Sequence, residues 1–333
     1  MAKFLKVAFL LAGLALFAWS LKFVDMTRVL SLLWDIGFGF VLIMLVYALV
    51  TYIDTLAWRY TFKPEQARRF SSLQLWRIRQ IGEAYNVITP FGTVGGEPVK
   101  AQLLKDYHHL TFKQGLASLV ITRTTLLTGL IIFFIPGVYM IQTSQVVSGE
   151  FKSVSLAGMI VFSTLIFLFF LFQITGTLGV LASWADRLFT RKKEDGFLSH
   201  LQVLNTLMSK YYKEHQGRVY LSILYALIGW VVGLAELYLA LYLLGYNPSF
   251  QELWIIEALV QLIRVGSFFI PMSLGAQEGG MILIFVAMGM TADLGLTVSF
   301  VRRVKELIWV SAGLLLGWSL AFKPAKVQPD TQS

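Results

Sequence analysis

An all-α polytopic membrane protein is the fold class that the 333-residue sequence predicts, and three observations carry the prediction. Hydrophobic residues make up 56% of the chain and charged residues only 14%, with a mean hydropathy of +0.68. A soluble domain carries roughly 25% charged residues. Six apolar runs, near residues 4–21, 38–58, 113–141, 154–182, 219–245 and 295–322, approach the roughly 20 residues that cross a hydrocarbon core about 30 Å thick. Two further apolar stretches, 71–106 and 251–290, are interrupted at their centres by "TPFGTVGGEP" and "IPMSLGAQEGG". The expected architecture is about six full transmembrane helices plus two re-entrant helical hairpins.

The first run, preceded by Lys3 and Lys6 and followed by small residues near Ser20, resembles a secretory signal. The polytopic remainder predicts that it is retained as a helix. Residues 1–322 read as a single membrane domain. Residues 183–218 form its one sizeable loop, in which Leu198, Leu201, Leu204, Met208 and Tyr211 recur at helical spacing. That face suits either a surface helix on the inner leaflet or a loop helix packed on the bundle. The tail, 323–333, is expected to be a disordered cytoplasmic segment.

Sidedness follows from basic residues, which stay cytoplasmic in short loops. With the N-terminus inside and both broken stretches returning to the side they entered from, the inner side collects Arg59, Lys63, Arg68, Arg69, Arg77, Arg79, Lys100, Lys105 and the basic residues of 187–218, among others. The outer side holds only Lys22, Arg28 and Lys152. Both termini are therefore expected in the cytoplasm.

The broken stretches align at an offset of 181 residues, which places Pro90 on Pro271 and Glu97 on Glu278. Near that offset Asp54 meets Glu236, and Arg123 meets Arg303. Three full spans separate the two stretches, so the second copy is expected upside down. Each unit of this inverted-topology repeat would be a span, a re-entrant hairpin and a span. The repeats would cover about 38–141, with the hairpin at 71–106, and about 219–322, with the hairpin at 251–290.

Irregular backbone at membrane depth survives only where protein or a watery cavity satisfies its peptide groups. The prolines Pro90 and Pro271 would turn the hairpins, while Gly95, Gly96 and Gly275 permit tight turns before the helices that follow. Those helix N-termini would face the midplane as anion sites, because their free N–H groups and the dipole both favour negative charge. Arg123 and Arg303 lie deep in their spans, where charge usually faces an interior partner or a pathway. Glu97 and Glu278 are the expected partners. Glu83, Arg264, Arg302, Lys305 and Glu306 add intramembrane charge. Read functionally, the arginines and helix ends hold a headgroup phosphate, while the glutamates balance charge, bind an amine or carry protons. Read structurally, the same residues are buried pairs that fix helix packing.

Other chemistries find little support in the sequence. A chain without cysteine has no disulfide, thiol nucleophile or cysteine-ligated metal. The net charge of +9 and pI near 9.6 fit cytoplasmic loops beside anionic lipid better than nucleic acid. No HExxH, GxSxG or Walker A pattern occurs, and no cofactor is implied. The histidine pair in "KDYHHL" reads as a solvated loop pair.

The segment "RIRQIGEAYNVITPFGTVGGEPVKAQLL", followed by "LVITRTTLL" and "PMSLGAQEGG", resembles the flippase-like family that includes the transmembrane region of lysylphosphatidylglycerol synthases. The resemblance spans about residues 5–322 and is greatest to stand-alone members, including a branch associated with hopanoid biosynthesis. It touches Pro90, Gly95, Gly96, Glu97, Arg123, Pro271, Gly275, Glu278 and Gly279. Many relatives carry arginine where this chain has Lys100 and Gln277, so contacts to a headgroup are expected to differ there. The resemblance implies a protein of the bacterial inner membrane that moves a lipid with an anionic, phosphate-containing headgroup between leaflets. Its partners would be membrane lipids and enzymes of lipid synthesis, and it would not itself make aminoacyl lipids. The competing expectations are a membrane-embedded lipid-modifying transferase, a lipid-binding scaffold of a synthesis complex, and a transporter of a small soluble anion.

Overall fold

The computed structural model describes residues 34–88, 95–175, 195–267 and 273–321, together with Thr27, Ser31, Thr177 and Ile270. The run at 4–21, the hairpin prolines Pro90 and Pro271, the start of the 183–218 loop and the 323–333 tail lie outside the described residues. Within them every regular element is helical. In chain order these are α1 (Phe40–Arg59), α2 (Pro64–Ala67), α3 (Ser72–Ile88), α4 (Glu97–His108), α5 (Phe112–Thr143), α6 (Gly149–Thr175), α7 (Asp195–Glu214), α8 (Gln216–Leu243), α9 (Phe250–Gly266), α10 (Ala276–Ala287) and α11 (Ala292–Ala321).

Among the described residues, four segments are long and apolar enough to cross a membrane: Trp34–Arg59, α5, α6 and α8. Helix α11 has the length, at 30 residues, but Arg302, Arg303, Lys305 and Glu306 interrupt its apolar run. The broken stretches each form two short helices. At 1.5 Å per residue, the 17 residues of α3 reach about 26 Å and the 12 of α4 about 18 Å, each less than a hydrocarbon core about 30 Å thick.

Both pairs fold back on themselves. Gly82 of α3 lies against the Lys100 side chain, and a Cβ on Gly96 would come within 1.8 Å of the Gly82 carbonyl oxygen. Only glycine permits that approach. In the second pair, a Cβ on Gly280 of α10 would come within 2.6 Å of Ile263 of α9.

Local sequence explains where the helices start. The Ser71 hydroxyl accepts the Gln74 amide while the Gln74 side chain accepts the Ser71 amide. Ser249 and Glu252 form the same reciprocal box at the head of α9. Such boxes satisfy N-H groups that a helix start leaves without intrahelical partners. Thr111 caps α5 in this way with Gln114, and the Thr291 hydroxyl accepts the Leu294 amide ahead of α11. Caps thus recur at equivalent places in the two halves of the chain.

Packing recurs in the same sense. Helix α1 packs on α8; α4 packs on α5 as α10 does on α11; α3 packs on α11 as α9 does on α5. The first limb of each hairpin therefore rests on the last span of the other half. The largest apolar core joins α5, α8, α9 and α10 around Phe133, Trp254, Leu241 and Phe285, with Phe133 and Trp254 stacked at 4.5 Å between centroids. Helix α7 packs on the bundle: Met208, Tyr211 and Tyr212 are buried, and the Tyr211 hydroxyl donates to the Tyr60 carbonyl. The packed-helix alternative is the one seen for the described part of that loop.

Candidate functional site

Charges inside a low-dielectric bundle persist only where each meets an opposite charge and its hydrogen-bonding capacity is met. The helices described above bring them together in two clusters, one at each hairpin. In the first, Glu97 is the opening residue of α4, and its Oε1 accepts from Arg123 Nη2 of α5 at 3.0 Å and from Lys100 Nζ at 3.2 Å. Lys100 Nζ also reaches Glu83 Oε1 of α3 at 2.6 Å. Asn86 joins the limbs: its amide donates to Glu83 Oε2 at 3.2 Å, and its Oδ1 accepts the Gly96 N–H at 2.6 Å. Beside them Arg79 pairs with Asp54 of α1 at 2.8 Å.

The second cluster repeats the central pair. Arg303 Nε donates to Glu278 Oε1 at 2.6 Å, and Nη1 to Glu306 Oε2 at 3.1 Å. Arg264 of α9 stands 3.5 Å from the other oxygen of Glu306. Glu278 Oε2 accepts the Gly275 N–H at 2.7 Å, and Gly275 takes φ +76°, a conformation glycine adopts without strain. Pairs Glu97–Arg123 and Glu278–Arg303 stand 181 and 180 residues apart, as 278 less 97 and 303 less 123 show.

These contacts refine the expectation for the helix ends. Each N-terminus already carries a carboxylate of its own, Glu97 on α4 and Glu278 on α10. The dipole is thereby answered from within the chain, which leaves the arginine side chains as the main attraction for an anion.

The clusters differ in openness. The Arg123 side chain is 44% exposed and Glu83 36%, whereas Arg303 is 12% exposed and Glu278 2%. They also differ in what they lack. Among the described residues, Glu97 Oε2 is buried with no donor, while Arg303 Nη2 and Gln277 Nε2 are buried with no acceptor.

Further along α11, Arg302 pairs with Glu257 of α9 at 2.5 Å, and the Gln261 amide donates to the other oxygen of Glu257 at 2.6 Å. Lys305 pairs with Glu236 of α8 and lies 4.0 Å over the Tyr47 ring. The Tyr47 ring also meets Trp309, which in turn meets Trp76. Asp54 and Glu236 occupy matching places but bind different partners, Arg79 in a hairpin limb and Lys305 in a span.

Arg79 and Lys100, counted with the inner-side charges, are engaged in ion pairs: Arg79 in a half-buried one with Asp54, and Lys100, itself 3% exposed, with Glu83 and Glu97. One sequence-based expectation is corrected. His108 is not solvated: it is 8% exposed, its Nδ1 meets the Arg69 carbonyl, and its ring packs edge-on against Phe70. Glu257, Gln261 and Asn86 were missed. Glu257 had a signal, a lone acid in the apolar run "LWIIEALV"; the amides had none.

A family model described as the lysylphosphatidylglycerol synthase TM region matches residues 4–313. No curated protein and no solved structure matches the chain.

Proposed function

We propose, since the chain belongs to the lysylphosphatidylglycerol synthase transmembrane-region family, that it is a transporter moving a lipid with a phosphate-containing headgroup between the leaflets of the bacterial inner membrane. The observation that carries this reading is the recurrence of a Glu–Arg pair at the head of the second limb of each hairpin, Glu97 with Arg123 and Glu278 with Arg303. A buried pair that only held helices together would need no broken helix beside it.

The mechanism follows from the charges and the repeat. A phosphate competes with Glu97 or Glu278 for an arginine, and a guanidinium binds carboxylate and phosphate with similar fork geometry. The headgroup thereby exchanges one set of charge-assisted hydrogen bonds for another and does not cross bare hydrocarbon, while the acyl chains stay in the bilayer. The recurring caps, helix bounds and packing support two units of opposite topology. Rocking one against the other would open the site to each leaflet in turn. The difference in exposure between Arg123 and Arg303 fits a state open at the first hairpin and closed at the second.

Native mass spectrometry of gently extracted protein tests the reading. Wild type is expected to retain one lipid class enriched over the bulk extract, and Arg123→Ala and Glu97→Gln are expected to lose it. Bulk-like lipid in all three proteins would reduce the clusters to structural pairs.

A further inference from the structure

Each hairpin cluster sums to zero charge. Two carboxylates, Glu83 and Glu97, face two cations, Lys100 and Arg123; in the other cluster Glu278 and Glu306 face Arg264 and Arg303. The Asp54–Arg79 pair beside the first adds nothing to its balance. A headgroup with a net negative charge would therefore leave one charge uncompensated in either cluster, and an uncompensated buried charge is the costly case. A net positive headgroup meets the same obstacle. A headgroup that carries both signs exchanges with the existing pairs and leaves the balance at zero.

The unmet hydrogen-bonding groups point the same way by an independent route. The open cluster has a spare buried acceptor, Glu97 Oε2, and the closed one has spare buried donors, Arg303 Nη2 and Gln277 Nε2. Gln277 is 2% exposed and sits in the first turn of α10. A buried polar group without a partner is unfavourable, and native structures seldom keep one without a use. An ammonium supplies what Glu97 lacks, and a phosphate oxygen supplies what Gln277 and Arg303 lack.

We infer that the transported headgroup is a zwitterion of zero net charge, bearing one ammonium and one phosphate, which exchanges with the Glu–Arg pair of each cluster in turn: ammonium on Glu97 and phosphate on Arg123 at the first, ammonium on Glu278 and phosphate on Arg303 with Gln277 at the second. The inference rests on the transport reading and narrows it from a phosphate-containing headgroup to one whose phosphate is balanced by its own amine.

Three tail-labelled fluorescent probes with identical acyl chains separate the possibilities in vesicles holding the purified full chain: phosphatidylethanolamine, the same lipid with its amine acetylated, and phosphatidylglycerol. Acetylation changes the net charge from zero to minus one and leaves the phosphate in place. The zwitterion is expected to cross about tenfold faster than either anionic probe, as expected where an unbalanced charge is penalised in the bilayer. Glu97→Gln leaves the first cluster one positive charge in excess and is expected to shift the rate ratio toward the acetylated probe by about tenfold.

Anionic probes crossing as fast as the zwitterion would overturn the charge inference and leave transport standing. No probe crossing faster than in protein-free vesicles would overturn transport and the inference with it. An unchanged ratio in a well-folded Glu97→Gln protein would remove Glu97 from ammonium recognition. The three-probe comparison in wild type decides the charge question even where the variant fails to fold.

Discussion

Arginine inside a membrane bundle is costly unless answered, and this chain answers Arg123, Arg302 and Arg303 each with a glutamate at hydrogen-bonding distance. The answered pairs differ in what surrounds them. Glu257 and Arg302 are 8% and 7% exposed, and Gln261 completes the carboxylate's bonding, so this pair is complete in itself. Glu257→Gln is expected to lower stability by about 3–5 kcal/mol, the loss typical of stranding one buried partner. A thermal melt of the purified protein reads it, and exchanging the two charges in Glu257→Arg with Arg302→Glu should recover part of the loss. Glu97→Gln should cost less, because Arg123 keeps access to solvent. Thr51 is a second such point: its hydroxyl accepts from both Trp76 and Gln80. Thr51→Val leaves two donors unpaired and is expected to cost about 1–3 kcal/mol in the same melt.

At the scale of elements, the sequence was informative where charge interrupted hydrophobicity. Glu97, Arg123, Glu278 and Arg303 were legible because each breaks an apolar run at membrane depth, and the offset that aligns the prolines aligns their partners too. Arg79 and Lys100 were not legible, because a basic residue near the end of an apolar stretch looks the same whether it faces water or folds back onto a carboxylate. Hydropathy ranks α11 below the four apolar spans for a related reason, since the charges that carry its chemistry lower its score. The capping boxes at Ser71 and Ser249 mark the starts of α3 and α9 in the sequence as S-x-x-Q and S-x-x-E. The close approach of Gly96 to Gly82 is tertiary and had no local sign beyond the glycines. Gly96→Leu is expected to force the limbs apart and abolish lipid retention. The proper control is Gly217→Ala, where a Cβ meets open space.

At the scale of the whole molecule, the two halves meet along α1 with α8, along α3 with α11, and along α5 with α8 and α9. If transport requires the halves to rock, a bond across the second seam should stop it. A Cβ on Gly317 of α11 would lie 3.4 Å from Cγ2 of Ile81 in α3, an ordinary contact, and the chain has no native cysteine to interfere. Ile81→Cys with Gly317→Cys is therefore expected to cross-link on oxidation and to lose transport, with recovery on reduction. Cross-linking without loss of transport would place the moving interface elsewhere. The proposed opposite topology of the halves makes a separate prediction. Glu65 precedes the first hairpin and Asn247 the second, and both are exposed. Glu65→Cys and Asn247→Cys should react with an impermeant maleimide from opposite sides of the membrane; labelling from one side would contradict an inverted repeat.

The central claim is that a lipid headgroup crosses between the leaflets by way of the two arginines. Its most direct test is leaflet translocation of a tail-labelled phosphatidylethanolamine by the purified chain in sealed vesicles, comparing wild type with Arg123→Gln and Arg303→Gln. The account predicts movement well above protein-free vesicles and a fall of at least about tenfold in each variant that keeps a normal melt, because each removes the cation that answers the phosphate. Movement no faster than in empty vesicles, or equal movement in all three proteins, would contradict it.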